Sequence, residues 1–308
     1  MSGLTPSERA VDSYHSSARP VIVGGAARSG TTLLSVILNS HPELVCGPES
    51  DLFRLWPEFD RLSVNAVTWA WHVLRGWTEP FRTLSRDFGI SLQQIRRLWM
   101  RSGSPAEFID RFFGEYARRH GVTRWADKTP ANVKVIGFIF EHFPRAKFVH
   151  IIRDGRDTCC SVLAWSRQYP KSHPLDIRSA AETWSRWIGL GREWIGHPNY
   201  TEVRYEDLVT APEASLRLLL EFLELPWNAE VLAYHDQAQS NRPDLPLTHL
   251  AGVSKPVYSS SIERWQKDLT FADRRAVEEI AGATLRELGY TDSPDWVERP
   301  NEQLIHAL

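Results

Sequence analysis

The clearest hydrophobic signals in the chain are two short, nearly continuous runs. Val21-Ile22-Val23 is β-branched throughout, and Phe148-Val149-His150-Ile151-Ile152 is apolar at all but one position. Runs of this kind predict strands buried on both faces of a parallel sheet. Each is followed by a turn and then by helical spacing. After the first come glycines and a helix over 31–39 carrying Leu33, Leu34, Ile37 and Leu38. After the second come Arg153-Asp154-Gly155-Arg156 and a helix from about Asp157. Between the two units, 131–143 is amphipathic, with Val133, Ile136, Phe140 and Phe143 along one face. Further on, 200–204 reads as a short strand and 213–223 as a helix with Leu216, Leu219, Leu220 and Leu223 on its apolar side. The polar, Pro-containing 237–250 reads as a loop, and a last helix spans about 271–288, ended by Gly289. Strands alternating with helices predict an α/β fold, a P-loop-like parallel β-sheet flanked by helices.

One stretch departs from that alternation. Residues 53–120 are helical in pattern and carry Trp56, Trp69, Trp71, Trp77 and Trp99 with Phe53, Phe59, Phe81 and Phe88. Lying between the first helix and the next strand signal, they read as a helical insertion after the first βα unit. The expected organisation is a polar tail over 1–19, one domain over 20–292 and a tail over 293–308.

Composition narrows the chemistry. The 308 residues carry a formal net charge of -2, which gives no global attraction to nucleic acid or anionic membrane, so an anion site must be built locally. Three cysteines, Cys46, Cys159 and Cys160, cannot form a disulfide framework, and a reducing, cytoplasmic setting is expected. The first 19 residues have the pattern of neither a signal nor a transit peptide, and no window has the apolar length of a membrane span. No stable membrane anchor is expected. No His/Cys/Asp cluster has metal-ligand spacing, so no metal is expected.

The first turn carries the chemistry. Gly25-x-x-x-x-Gly30-Thr31-Thr32 has the spacing of a P-loop, in which glycines let successive N–H groups aim at phosphate oxygens and the helix that follows adds its positive end. Thr31 stands where a nucleoside-triphosphate enzyme carries lysine. That loss disfavours triphosphate chemistry, and Arg28 supplies a different cation. A Gly-rich turn without a ligand and a modified P-loop kinase are the competing readings.

Arg28-Ser29-Gly30-Thr31-Thr32 resembles the 5′-phosphosulfate loop of sulfotransferases, which use 3′-phosphoadenosine 5′-phosphosulfate (PAPS). Ile152-Arg153-Asp154-Gly155-Arg156 followed by Ser161 is similar to that family's 3′-phosphate site, and arginine suits planar, bidentate phosphate contact. Alone, Arg153 would read as a surface ion pair with Asp154 or Asp157. The layout of Arg28, Asn39-Ser40-His41-Pro42 and Glu49, with Asp127-Lys128-Thr129-Pro130, resembles tyrosylprotein sulfotransferases in particular. Arg204-Tyr205-Glu206-Asp207-Leu208 looks like the segment whose tyrosine contacts adenosine. Lys255-Pro256-Val257-Tyr258 with Arg264-Trp265 resembles the C-terminal donor-binding loop.

The resemblance implies transfer of a sulfuryl group from PAPS to a hydroxyl or amine, releasing adenosine 3′,5′-bisphosphate. It implies donor contacts from Arg28, Ser29, Gly30, Thr31, Thr32, Arg153, Ser161, Tyr205, Lys255, Tyr258 and Arg264. Arg28 and Lys128 fall on the bridging and sulfuryl oxygens and Glu49 at the general base; Asp51, His41 and His249 are the alternatives to Glu49. Two positions depart from the family pattern: the C-terminal loop has no convincing serine, only Thr248 and Ser254 near His249, and an expected arginine falls near Trp165, with Arg167 close by. The Trp-rich insertion points to a small acceptor of apolar, aromatic or sugar character, with a protein tyrosine as the alternative. A homodimer is compatible with the sequence. A nucleotide-binding protein without catalysis is the rival outside the enzymes.

Overall fold

The computed structural model describes residues 15–54, 84–168, 175–236 and 261–298. Five parallel strands form its centre: β1 (Val21–Gly24), β2 (Leu44–Cys46), β3 (Arg124–Lys128), β4 (Lys147–Ile152) and β5 (Tyr200–Arg204), in the spatial order β2-β3-β1-β4-β5. β1 lies at the middle, its Val23 in register with Lys128 on one side and Val149 on the other. The chain returns from β3 to the far side of β1 as β4, so the strand order reverses there. In open α/β sheets ligands bind outside the carboxyl ends of the strands at such a reversal.

Side-chain alternation divides the core between the two faces. Val21 and Val23 pack with Leu34, Ile37 and Leu38 of α1 (Thr31–Asn39) and with Leu216, Leu219 and Leu220 of α8 (Pro212–Phe222). Ile22 faces the other way, into a layer formed by Phe108, Phe112 and Phe113 of α3 (Pro105–Arg119) and Ile139 of α4 (Ile136–His142). All three β1 side chains are fully buried, and each such burial stabilises the fold by about 1.5–3 kcal/mol. A third cluster joins α5 (Gly155–Gln168), α6 (Ile177–Arg192) and α10 (Phe271–Glu287) beside the end of β4.

Several expectations shift. The 131–143 helix is two pieces, a 3₁₀ turn over Pro130–Lys134 and then α4. Asn132 breaks it by sending its amide to Val23 O and Asp127 Oδ2, which pins the turn onto β1 and β3. β2, β3 and α6 carried no signal that the hydrophobic pattern recognised. Three residues are too few for a period, and Arg-Trp-Ala-Asp-Lys reads as polar although all five are buried. The packed chain also reaches beyond 292: Pro294–Glu298 forms a 3₁₀ turn whose Trp296 stacks edge-on to Trp265 at 5.2 Å. At the other end Ser16, expected in a tail, donates its N–H to His142 O and is buried. Within 53–120, α2 (Leu92–Met100) and α3 are helical as expected, and 55–83 lies outside the described residues.

Candidate active site

The residues that follow the five strands meet in one row at their carboxyl ends. The β1 loop is shaped by backbone constraints. Gly25 has φ +149, and a Cβ there would lie 2.4 Å from Ile151 O, so β4 packs against bare backbone. Gly30 has φ +99 and a Cβ there would lie 2.5 Å from Cδ2 of Tyr205. Arg28 holds the left-handed region without being glycine, at φ 70. Left-handed backbone in a non-glycine residue costs energy, and such residues concentrate where geometry is functional.

Helix α1 starts from this loop with an open N-terminus. α2, α3 and α10 are capped by Ser91, Ser104 and Thr270 side chains, whereas Gly30 brings none to α1. The hydroxyl of Ser29 is buried without a protein partner. Uncapped N–H groups, a positive helix end and an unpaired buried hydroxyl suit a phosphate or sulfate oxygen.

Lys128 ends β3 and sits 1% exposed between two other strand ends. Its Nζ donates to Glu49 Oε1 at 2.5 Å and to Thr32 Oγ1 at 3.4 Å. One cation therefore joins the loop after β1 to the segment after β2. That segment is fixed from below: Asp51, at φ 56, donates its N–H to Thr129 Oγ1 and pairs with Arg54. The fully buried Asp127 accepts from Asn132, and burial pushes its carboxyl up to about 6 against the hydrogen bonds of Asn132, Ser50 and Thr129. Glu49 itself is about half exposed.

Arg153 follows β4. Its two terminal nitrogens donate to Arg28 O at 3.2 Å and Ser261 O at 2.6 Å, and its plane lies 4.6 Å from the ring centre of Tyr205, the first residue of α7 (Tyr205–Thr210). Its Nε is buried without a partner. The ion pair with Asp154 that a lone arginine would form goes to Arg156 instead, with Nη2 at 2.6 Å. Arg156 also lies against the edge-on pair Trp265 and Trp296, 4.3 and 5.0 Å from their ring centres. The backbone of Arg153 is held by Trp184, whose indole donates to its carbonyl at 3.0 Å.

Arg28 donates through Nε to Ser161 at 3.2 Å, so the two expected phosphate sites touch. Burial, followed by the charges of Arg153 and then Arg264, lowers the pKa of Arg28 below the usual arginine range. Crowding three guanidinium groups is unfavourable unless an anion joins them. Arg264, at the start of α9 (Trp265–Asp268), hydrogen-bonds Asp268. Asp157 is held up near 7, by burial first and by Asp154 second, with Arg153 and two backbone N–H groups opposing.

The structure thus brings together Arg28, Ser29, Gly30, Thr31, Thr32, Glu49, Lys128, Arg153, Ser161, Tyr205 and Arg264. Lys255, Tyr258, Thr248, His249 and Ser254 lie outside the described residues. His41 is not in the row: it precedes β2, at the amino end of the strands, and its ring is spent on Pro226 O and Glu43 N. Trp99, one of the expected acceptor-wall residues, is instead core, packed edge-on against Phe108 at 5.3 Å. Trp56, Trp69, Trp71 and Trp77 lie outside the described residues. Sequence reasoning missed Trp184 and Ser261, whose roles depend on contacts 31 and 108 residues away.

Among relatives, the chain is 29% identical to the protein-tyrosine sulfotransferase of Drosophila melanogaster over 95% of its own length and 56% of the relative's. It is 30% identical to protein-tyrosine sulfotransferase A of Caenorhabditis elegans, over 92% of this chain and 70% of that one. The chain thus spans only part of the length of these relatives. Its fold is similar to the sulfotransferase domain of the Synechococcus PCC 7002 olefin synthase, at TM-score 0.60, 19% identity, 89% of this chain and 98% of that one. It is also similar to mouse sulfotransferase SULT7A1 complexed with PAP, at TM-score 0.53, 13% identity, 96% of this chain and 92% of that one. The sulfotransferase family model matches residues 20–229, and the chain belongs to that family.

Proposed function

We propose that this chain moves a sulfuryl group from PAPS to a hydroxyl, with Glu49 as the base, and that the favoured acceptor is a phenol. The observation that carries the reading is the Glu49–Lys128–Thr32 chain of contacts, which joins a half-exposed carboxylate to a buried cation beside the β1 loop. The donor supplies an already electrophilic sulfur and leaves as adenosine 3′,5′-bisphosphate, so the protein must position, neutralise charge and accept one proton.

Each residue then has one task. The N–H groups at the start of α1 and the Ser29 hydroxyl hold the 5′-phosphate. Lys128 and Arg28 neutralise the negative charge that develops on the bridging oxygen as its bond to sulfur breaks. Glu49 takes the acceptor's hydroxyl proton while the acceptor oxygen bonds to sulfur. Arg153, with Ser161 and Arg264 nearby, holds the 3′-phosphate. Tyr205 stacks beneath Arg153 and closes the adenosine side.

Both named relatives act on protein tyrosine, and a phenol is the chemistry shared by tyrosine peptides and small aromatic acceptors. The test incubates the protein with PAPS and a panel of tyrosine peptides, small phenols, sugars and alcohols, reading sulfated product. Sulfation of phenols is expected, with the peptide and small-molecule arms separating the two sources. Glu49→Gln is expected to lower turnover by about 10²–10⁴-fold with bisphosphate binding kept. Full activity in that variant would move the base elsewhere. Mg²⁺-dependent ATP turnover with no sulfated product would favour the kinase reading.

A further inference from the structure

Asp157 lies in the first turn of α5, fully buried, and both of its carboxylate oxygens are committed to the far end of the chain. Oδ2 accepts from Glu263 N at 2.8 Å and Oδ1 from Trp265 N at 3.0 Å. The turn so gripped is an uncommon one, with the non-glycine Glu263 at φ 58. Two residues before Glu263, the Ser261 carbonyl receives Nη2 of Arg153 at 2.6 Å.

Arg153 therefore hydrogen-bonds two carbonyls and faces an aromatic ring, and the Asp157 carboxylate acts on it only through space. Carbonyls orient a guanidinium without cancelling its charge, which keeps the charge available to an anion. One of those carbonyls stands where it does because Asp157 ties the turn behind it to the helix that follows Arg153.

We infer that Asp157 is a positioning residue for donor selection: it anchors the 261–265 turn so that Ser261 holds Arg153 toward the 3′-phosphate of the nucleotide. This rests on the PAPS reading above. The bland alternative is a cap for the short α9, whose first N–H belongs to Trp265. A cap would contribute to stability alone, whereas positioning would show in the preference for a 3′-phosphate.

The experiment is calorimetric titration of the full chain with adenosine 3′,5′-bisphosphate and with AMP, for wild type, Asp157→Ala, Asp157→Asn, Arg153→Ala and the Asp157→Ala/Arg153→Ala double variant. Asp157→Ala is expected to weaken the bisphosphate about tenfold and AMP less than about twofold. The double variant is expected to match Arg153→Ala, because both changes remove one interaction. If Asp157→Ala does not fold, Asp157→Asn decides: it keeps one of the two acceptors, and the bisphosphate preference should fall about threefold. Equal losses for both ligands, an unchanged preference, or additive losses in the double variant would overturn the inference. No preference in the wild type would overturn the donor reading and this inference together. Preference in the wild type that survives every Asp157 change would overturn this inference alone.

Discussion

The turns after β1 and β4 meet side by side and are built in opposite ways. The β1 turn is shaped locally: Gly25, Arg28 and Gly30 set its backbone within six residues, with Arg153 on the Arg28 carbonyl as a distant contact, and the helix it opens contributes backbone donors. The β4 turn is assembled from the rest of the chain. Arg153 depends on Trp184 for its backbone, Tyr205 for its ring contact and Ser261 for a carbonyl. Arg156 reaches Trp265, Trp296 and Tyr290 O. A local turn can be read from a motif; an assembled one is specified by residues that look unremarkable where they stand in sequence.

Three changes sharpen or break that contrast. Arg28→Ala should have the largest effect, because it removes a cation from the local loop and the link to Ser161. A fall in kcat of about 10²–10³-fold is expected in a PAPS transfer assay. Arg153→Ala should come next, weakening adenosine 3′,5′-bisphosphate about tenfold and AMP little, as read by calorimetry. Gly30→Ala should be smallest per ligand, lowering both nucleotides by the same few-fold factor, since it disturbs the loop they share. It should also cost about 1 kcal/mol or more of stability in denaturant unfolding, because φ +99 and the Tyr205 ring leave no room for a Cβ. Selective loss of the bisphosphate in Gly30→Ala would break the division between the two turns.

The same contrast explains how much was legible in the sequence. The β1 and β4 strands and the 31–39 helix follow from apolar runs and their punctuation, 200–204 reads as a short strand, and the structure places these at Val21–Gly24, Lys147–Ile152, Thr31–Asn39 and Tyr200–Arg204. Glu49 and Lys128 were legible only through resemblance. Nothing in the pattern of Arg-Trp-Ala-Asp-Lys marks an interior strand, and its burial comes from the aromatic layer of Phe53, Phe113 and Phe143 around Trp125. Asp157 read as one more surface acid near an arginine, and only the return of 263–265 makes it an anchor. Trp296 reads as part of a tail because its partner Trp265 lies 31 residues away, across α10, a contact that periodicity does not reveal.

The central claim is that one row of strand ends holds a nucleotide by two separate phosphates, the 5′ group on the β1 loop and the 3′ group at Arg153. The most direct test is calorimetric titration of the wild-type protein with adenosine 3′,5′-bisphosphate beside AMP. The account predicts binding of the bisphosphate at least about tenfold tighter, the contribution of one charge-assisted phosphate contact. Equal affinity for the two ligands would contradict it.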